Sequence, residues 1–225
     1  LGSISHICYN YIMPRDIALY IHVPFCRHKC PYCSFVSYDD READIPLYLS
    51  ALKKELIRRL GGECISSIYF GGGTPSLLSA TYLGDLMSAI SSLFAVDESA
   101  EITIEANPGT VNRAYLTAIR EVGVNRLSLG VQSLNDRELA LLGRIHTAAE
   151  ARDAARHARD SGFDNLSIDL IYGLPGQTLS DWQHTLDEAI TIRPEHLSLY
   201  SLTLEAETPM WRAIKEDSLP EPDPD

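Results

Sequence analysis

Strand-like and helix-like hydrophobic patterns alternate along most of the chain, and this alternation limits the fold more than any other feature. Short apolar runs rich in β-branched and aromatic residues, which are typical of strands, cover residues 17–23, 65–70, 101–106, 126–131, 166–172 and 196–204. Apolar residues recur at helical spacing in the segments between them, which are 45–60, 79–94, 110–119, 147–161 and 178–190. Roughly six β/α units in series imply a parallel sheet with right-handed crossovers.

Several helix ends are also marked in the sequence. Thr147 and Thr178 are each followed three positions later by an acidic residue, which is a capping-box pattern that predicts a helix N-terminus. Thr110 is predicted to cap the helix that contains Leu116. The pair at 61–62 is Gly-Gly and predicts the end of the first helix.

Two architectures fit this alternation, a doubly wound open sheet and a partial (β/α)6 TIM-like barrel with parallel strands and helices outside. Polar residues, glycines and cysteines stand at the carboxyl ends of nearly all the predicted strands, in the loops after residues 23 and 70 and at Glu105, Gln132, Asp169 and Thr203. A barrel gathers these strand ends around one mouth, whereas an open sheet spreads them along an edge. The sequence therefore favours the partial barrel.

Size and charge exclude some classes of protein. With 225 residues, of which 45% are hydrophobic, the chain is long enough for one domain with a real core. The net charge of −12 argues against wrapping a phosphate backbone, so nucleic acid is not an expected partner. No run of 18 apolar residues predicts a membrane span, although this leaves association with a membrane surface open.

The chain divides into three parts by composition. Residues 1–16 lack a signal-peptide pattern and are interpreted as a leader or as residues foreign to the domain. Residues 17–215 form the predicted barrel domain. Residues 216–225 are an acidic, proline-rich tail that we expect to lead to a C-terminal domain absent from this chain.

Three cysteines lie within eight residues, directly after the first predicted strand. Cys26, Cys30 and Cys33 have the spacing C-x3-C-x2-C, and thiolates are soft ligands for iron–sulfur clusters or zinc. A four-iron cluster held by three cysteines has one iron open to a small molecule. A structural zinc ion usually has four protein ligands, and His22 or His28 could supply the fourth.

The clustering of three cysteines also bears on how the other two are interpreted and on the cellular compartment. Cys8 and Cys64 each stand alone and are interpreted as non-ligands. Five cysteines are an odd number for a disulfide framework, and three of them are clustered as metal ligands are. The sequence therefore predicts a reducing compartment, the cytoplasm.

A run of glycines, Gly71, Gly72 and Gly73, follows the second predicted strand. Glycines let the backbone approach a ligand closely, although such a run can also be a turn that ends a strand. Thr74 and Pro75 follow it directly, and the cysteine loop precedes it by one β/α unit. This context favours the ligand-binding interpretation.

The cysteine motif, with Tyr32 before the third cysteine, and the Gly-Gly-Gly-Thr-Pro run at 71–75 together resemble the radical S-adenosylmethionine (SAM) superfamily. Longer matches at 20–26 (YIHVPFC), 105–108 (EANP), 130–133 (GVQS) and 169–177 (DLIYGLPGQ) are similar to the oxygen-independent coproporphyrinogen III oxidase family. The similarity runs from about residue 20 to the end of the chain. It implies a partial or full (β/α) barrel with the cluster loop after the first strand.

The resemblance also implies cofactors and their ligands. It implies that Cys26, Cys30 and Cys33 hold three irons of a [4Fe–4S] cluster whose fourth iron binds SAM. The positions that match SAM contacts of the family are Tyr20, Tyr32, Gly72, Gly73, Thr74, Glu105, Gln132, Arg144, Asp169 and Thr203. Carboxylates, an amide and a guanidinium suit the ammonium, hydroxyl and carboxylate groups of such a ligand.

Two functions are consistent with this resemblance. In the oxidase branch a further cysteine lies two positions after the third cluster ligand, and here that position is Phe35. Phe35 and the segment 194–209 favour the heme chaperone branch, which implies heme as cargo, a heme-receiving protein and a reductant for the cluster. The alternative is oxidative decarboxylation of coproporphyrinogen III through a 5′-deoxyadenosyl radical. A binding scaffold that holds zinc and has lost SAM chemistry is a third reading.

The histidines do not decide between these functions. An imidazole can ligate heme iron. The candidates are His6, His28, His146, His157, His184 and His196. For each of them, an ordinary solvated or core histidine is the favoured interpretation. The histidine- and tryptophan-bearing motif tied to heme in the C-terminal domain of family members has no match in this chain.

Overall fold

A computed structural model describes residues 16–59 and 63–222 of the chain. Its sheet has six parallel strands, which are β1 (Asp16–Val23), β2 (Cys64–Gly72), β3 (Ala95–Ala106), β4 (Arg126–Gln132), β5 (Asn165–Tyr172) and β6 (His196–Ser201). The strands lie side by side in the order in which they occur along the chain. A doubly wound sheet reverses direction at a switch point, so this order excludes that alternative.

The helices of the described residues connect the strands or follow the last one. They are α1 (Ile45–Arg58), α2 (Ala80–Leu93), α3 (Arg113–Glu121), α4 (Asp136–Leu141), α5 (Ala148–Asp160), α6 (Leu179–Thr191) and α7 (Pro209–Lys215). Because each crossover moves on to the next strand in the same direction, right-handed connections place the helices on one face of the sheet. The other face is the inner, concave face of a partial barrel, as predicted.

The two faces of the sheet differ in chemistry. The side chains that point toward the helices are apolar and fully buried, as Ile65, Ile68 and Phe70 are on β2. The inner face carries polar side chains, among them Tyr69 on β2 and Glu105 on β3. The hydrophobic core therefore lies between the sheet and the helices, and the concave face remains available for polar chemistry.

Two strand boundaries differ from the sequence prediction by more than two residues. β3 begins at Ala95, six residues earlier than predicted, because 95–96 pair with 64–65 of β2 before the register shifts. The early part is rich in charged residues, so it lacks the apolar pattern of a strand. β6 ends at Ser201 rather than at Leu204, and the residues after it run into the turn that precedes α7.

One helix cap was predicted at the wrong residue. Thr110 ends a short 3-10 turn that begins at Pro108, and the cap of α3 is Asn112. The Asn112 side chain accepts a hydrogen bond from the backbone N–H of Tyr115 at 2.9 Å. Asparagine is preferred over threonine as a helix N-cap, and the intervening turn already contains Thr110.

The other predicted caps are confirmed. Thr147 with Glu150 and Thr178 with Asp181 each form a complete capping box at the start of α5 and α6. α4 and α7 were not predicted, because six or seven residues are too few to show a helical period. The predicted leader ended at residue 16, but Asp16 is already the first residue of β1. The predictions for residues 1–15, with His6 and Cys8, for the glycine pair at 61–62 and for the last three residues lie outside the described residues. Among the described residues, we find no helix with the length and apolar character needed to cross a bilayer.

Candidate functional site

The three cysteines lie in a loop whose two ends are joined by backbone hydrogen bonds. The N–H of Cys26 donates to the carbonyl of Tyr38 at 2.9 Å, and the N–H of Tyr38 donates to the carbonyl of Pro24 at 2.8 Å. Within the loop, the N–H of Cys33 donates to the carbonyl of Cys30 at 3.1 Å and closes a turn. Residues 26–37 therefore form a closed loop at the carboxyl end of β1.

Two side chains hold the returning part of this loop. The Nζ of Lys29 lies 3.2 Å from the carbonyl oxygens of both Phe35 and Ser37 and donates to them. The Nε2 of His22 lies 2.7 Å from the carbonyl oxygen of Val36. These contacts hold the backbone of the segment after the third cysteine against Lys29 and β1.

Hydrogen-bond donors approach two of the three sulfur atoms. The Nη1 of Arg144 lies 3.4 Å from the Sγ of Cys30, and the hydroxyl of Thr74 lies 3.5 Å from the Sγ of Cys26. Burial raises the pKa of the Cys33 thiol. The cysteines of the described residues are free thiols. Donors of this kind stabilise thiolate ligands and tune an iron–sulfur cluster.

The sulfurs do not converge as the ligands of one metal ion do. In the described parts of the chain, no three His, Cys, Asp or Glu side chains are grouped closely enough to hold a single ion. Four ligands at about 2.0–2.3 Å are usual for a structural zinc ion. A four-iron cluster instead distributes its cysteines over separate irons.

The glycine run belongs to β2 and lies directly against the cysteine loop. The N–H of Gly73 donates to the carbonyl of Val23 at 2.8 Å, and the N–H of Thr74 donates to the carbonyl of Phe25 at 2.7 Å. A methyl group on Gly73 would lie 2.7 Å from the carbonyl oxygen of Phe25 and 3.0 Å from the Sγ of Cys26. Glycine is therefore required here by close approach of two backbones, and β2 continues through Gly72 instead of ending in a turn.

A half-buried carboxylate adjoins the glycines. Glu105 accepts hydrogen bonds from the hydroxyl of Tyr69 at 2.8 Å and from the N–H of Gly72 at 3.1 Å. Burial raises the pKa of Glu105 in spite of these donors. The same environment, with Glu105 beside it, raises the pKa of the Tyr69 phenol. The site therefore holds a carboxylate that favours a cationic ligand.

A second carboxylate lies deeper than predicted. Asp169 is the fifth of the eight residues of β5, rather than a residue at its carboxyl end. It accepts hydrogen bonds from the hydroxyls of Ser128 at 3.0 Å and Ser167 at 3.4 Å on the inner face. Burial raises the pKa of Asp169. Small serine neighbours leave room above it for a ligand.

Arg144 and Gln132 bring two further polar side chains to the site. The Nη2 of Arg144 donates to the carbonyl of Gly130 at 2.7 Å, while its Nε is buried and has no partner. A buried N–H without a partner is costly, so this atom calls for an acceptor from a ligand. Gln132 has a φ of +69°, in the left-handed region, where β4 bulges against β5.

These groups surround one cavity of about 440 Å³. Twelve of the thirteen residues predicted for the cluster and SAM line it, namely Cys26, Cys30, Tyr32, Cys33, Gly72, Gly73, Thr74, Glu105, Gln132, Arg144, Asp169 and Thr203. The cavity contains residues from the loop after β1 and from the end of β6, so the sheet curls until its first and last strands face one mouth.

The thirteenth predicted residue has a different place. Tyr20 is 57% exposed and does not line the cavity. Its ring stacks on Tyr69 with 6.0 Å between ring centroids, and its hydroxyl lies 3.3 Å from the Nδ1 of His22. Tyr20 thus contacts Tyr69 and His22 and does not face the cavity directly.

Other lining residues were not among the predicted cluster and SAM ligands. They are His28, Lys29, Ser34, Phe35, Ser37, Pro75, Ala106, Asn107, Gly130, Ile171, Tyr200, Ser201, Leu202 and Glu205. Asn107 and Gly130 belong to motifs that carried the family resemblance, which is a signal that could have identified them. The residues near β6 lie in the segment 194–209, which resembles the chaperone branch, but they join the site only through the curl of the sheet.

Most of the residues that form this site lie in a segment that matches a known protein family. The family model for the radical SAM superfamily matches residues 20–189, which include the three cysteines, the glycine run and both carboxylates. The chain belongs to the radical SAM superfamily. The cysteine loop, the glycine run and both carboxylates therefore all lie within the radical SAM domain.

Curated relatives of this radical SAM chain include heme chaperones. It is 38% identical over 204 residues to heme chaperone HemW of Bacillus subtilis, covering 89% of this chain and 54% of the relative. It is 41% identical over 222 residues to heme chaperone HemW of Haemophilus influenzae, covering 94% and 57%. The chain thus spans just over half the length of these relatives.

A solved structure agrees with the radical SAM fold. The chain is similar to coproporphyrinogen III oxidase (HemN) of Escherichia coli, described as a radical SAM enzyme, with a TM-score of 0.85 and 34% identity. The match covers 93% of this chain and 49% of that one. The partial barrel predicted from the strand and helix alternation is therefore the fold of a related radical SAM protein.

Proposed function

We propose that Cys26, Cys30 and Cys33 bind a [4Fe–4S] cluster with one open iron, and that the adjoining cavity binds SAM. The observation that supports this most is the common cavity of the cysteine loop, the glycine run and the unpartnered Nε of Arg144. When bound, the cluster supplies an electron that can cleave a carbon–sulfur bond of SAM.

The residues of the chain have separable tasks in this proposal. Arg144 offers its Nε to the SAM carboxylate, and Gly72, Gly73 and Thr74 let the amino acid part of the ligand approach the backbone. Glu105 balances the charge of the SAM ammonium, and its hydrogen bonds with Tyr69 and Gly72 hold it in place.

The remaining groups suit the nucleoside part of SAM. Asp169 and Gln132 can accept hydrogen bonds from ribose hydroxyls, and Gln132 can also donate. Thr203 adds a hydroxyl from the segment after β6, and Tyr32 packs beside the cysteines. Ile171 also lines the cavity, and its apolar side chain keeps water from that side.

We expect SAM to bind less tightly as the pH falls from about 7.5 to about 5.5. Ionised Glu105 and Asp169 attract the positive charges of SAM, and burial raises the pKa of both carboxylates. A raised pKa means that protonation begins at a higher pH than for an ordinary carboxyl group, and protonation removes the attraction. The ligand amine, with an α-amino pKa of about 7.7–8.0, is mostly protonated at pH 7.5 and fully protonated at pH 5.5, so its own titration works against the expected loss.

Equilibrium dialysis of SAM against wild type and Glu105→Gln measures this effect. The variant should bind more weakly at the higher pH and lose affinity less steeply as the pH falls. Equal slopes for the two proteins would show that Glu105 does not carry the pH dependence.

For the whole protein we propose a cytoplasmic heme chaperone that binds heme and delivers it to a target protein, with a separate reductant for the cluster. The names of the curated relatives and the residue at position 35 support this proposal. Phe35 is 70% exposed and lines the cavity where, by resemblance, the oxidase branch has a cysteine. It leaves the mouth without a fourth thiol and with an aromatic surface.

The second candidate is oxidative decarboxylation of coproporphyrinogen III, favoured by the similarity to the HemN structure. Two assays separate the candidates. Hemin is titrated into this chain and into the longer protein, and coproporphyrinogen III is incubated anaerobically with the reconstituted longer protein, SAM and dithionite. Heme binding without porphyrinogen turnover supports the chaperone. Turnover would establish the oxidase, and the absence of heme binding in both proteins would refute the chaperone.

A further inference from the structure

His146 is a buried histidine that does not line the SAM cavity. Its side chain lies between the turn after β3 and the end of β4, and the residue is only 4% exposed. The Nδ1 atom is 3.1 Å from the Oδ1 of Asn107, and the Nε2 atom is 3.1 Å from the carbonyl oxygen of Val131. The ring thus joins two strand ends to the loop between α4 and α5.

The ring acts as a neutral donor. Burial and the nearby Arg144 guanidinium lower the pKa of His146 to about 4, so the imidazole is neutral at pH 7. A neutral ring carries one N–H and can donate to only one of the two oxygens. Each of these oxygens also accepts a backbone N–H at 2.9 Å: the Oδ1 of Asn107 accepts that of Gly109, and the carbonyl oxygen of Val131 accepts that of Ser133. In the tautomer with the proton on Nε2, the ring donates to the carbonyl oxygen of Val131 and ties the loop to β4.

The same loop carries Arg144, two residues before His146. Arg144 donates to the carbonyl of Gly130 at 2.7 Å, and His146 faces the carbonyl of Val131, which is the next residue along β4. The following residue, Gln132, has the left-handed φ of +69°. The loop and β4 are therefore joined at two successive carbonyls, those of Gly130 and Val131. Arg144 of the loop and Gln132 of the strand, which line the cavity, are close in sequence to these two contacts.

Close packing limits the loop on its other side. A methyl group on Gly109 would lie 3.1 Å from the carbonyl oxygen of Ile145 and 3.4 Å from the Cβ of His146. The loop consequently has little freedom to adjust if the histidine contact is lost. A shift of the loop moves the Nε of Arg144, the buried donor that has no protein partner.

We propose that His146 is a positioning residue for SAM: its hydrogen bond to Val131 sets the direction in which Arg144 and Gln132 face the ligand. This inference rests on the proposed SAM site and assigns to the site a residue that does not touch the ligand. The histidine is neutral, so it positions Arg144 without competing for the carboxylate.

The test compares His146→Phe with His146→Gln in the 225-residue chain after anaerobic cluster reconstitution. Phenylalanine keeps the ring and removes the donor, whereas the Nε2 of glutamine can take the place of the imidazole Nε2. SAM is titrated while the EPR signal of the dithionite-reduced cluster is followed. We expect His146→Phe to weaken SAM binding about tenfold and His146→Gln to stay within about threefold of wild type, with equal iron content.

A double-mutant cycle with Arg144→Lys identifies the route of the effect. If His146 acts through Arg144, then His146→Phe should cause little further loss in the Arg144→Lys background, because coupled residues are not additive. Full additivity, or a glutamine variant as weak as the phenylalanine variant, would overturn the inference.

The outcomes also separate this inference from the proposed function. Weak binding by Arg144→Lys with normal binding by His146→Phe overturns the positioning role and leaves the SAM site standing. Normal binding by both variants refutes the proposed carboxylate site itself. If His146→Phe does not fold, His146→Asn replaces it, since asparagine is too short to reach Val131 and should be as weak.

Discussion

Replacing Cys30 by serine should remove almost all cluster iron from the reconstituted protein, from about four irons per chain to nearly none. Three thiols in one closed loop hold the cluster in our proposal, and a serine hydroxyl is a poor ligand for iron. Cys30 is also the sulfur that accepts a hydrogen bond from Arg144, so its loss removes a ligand and a contact to the SAM site together. Iron and sulfide analysis with the visible absorption spectrum measures the effect.

Cys64→Ser is the matched control for this experiment. Cys64 is a free thiol at the first residue of β2, at the opposite end of that strand from the glycine run. The control should keep its iron and its EPR response to SAM. Equal iron in Cys30→Ser and wild type, or zinc in place of iron in wild type, would contradict the cluster proposal.

Gly73→Ala should cause the second large loss, in both cluster occupancy and SAM binding. The added methyl group would lie 2.7 Å from the carbonyl oxygen of Phe25, a backbone atom that cannot rotate away. The two loops that meet there would have to separate, and both hydrogen bonds from residues 73 and 74 to the β1 side would lengthen. Overpacking of this kind typically costs about 1–3 kcal/mol.

Gly84→Ala provides the comparison for Gly73→Ala. A methyl group at Gly84 in α2 would lie 3.2 Å from a Cγ atom of Val122, which is the end of a side chain. The better helix propensity of alanine, about 1 kcal/mol, offsets that contact. Thermal unfolding and the EPR titration should show a near-normal Gly84→Ala and a defective Gly73→Ala. A Gly73→Ala protein with full iron and normal SAM affinity would show that the loops yield without effect.

Much of the fold could be predicted from sequence, because the period of apolar residues and the capping boxes act over short distances. Thr147 and Thr178 cap their helices as expected, and the strand patterns gave five of the six strand ends nearest the site to within about two residues. The first part of β3 was missed, since its residues pair with β2 in spite of a charged sequence. Backbone pairing needs a partner strand, which a local pattern does not reveal.

The candidate site shows the same division between local and distant information. The cysteine loop and the glycine run are continuous segments, and their place at the carboxyl ends of the first two strands could be predicted from the local pattern. The depth of Asp169 and the place of Tyr200 in the cavity depend on the register and curl of the sheet. The task of His146 depends on three segments meeting, and a lone histidine in the sequence favours only an ordinary core residue.

The unbroken order of the six strands has a consequence for how the chain folds. Each strand pairs with the strand that precedes it along the chain, so the sheet can grow by one β/α unit at a time as the polypeptide emerges from the ribosome. The thiol loop and the glycine run follow the first two strands, so the sulfur side of the cavity can form early. Arg144 and the end of β6 arrive later, and a nascent chain therefore presents its thiols before the cavity can enclose them.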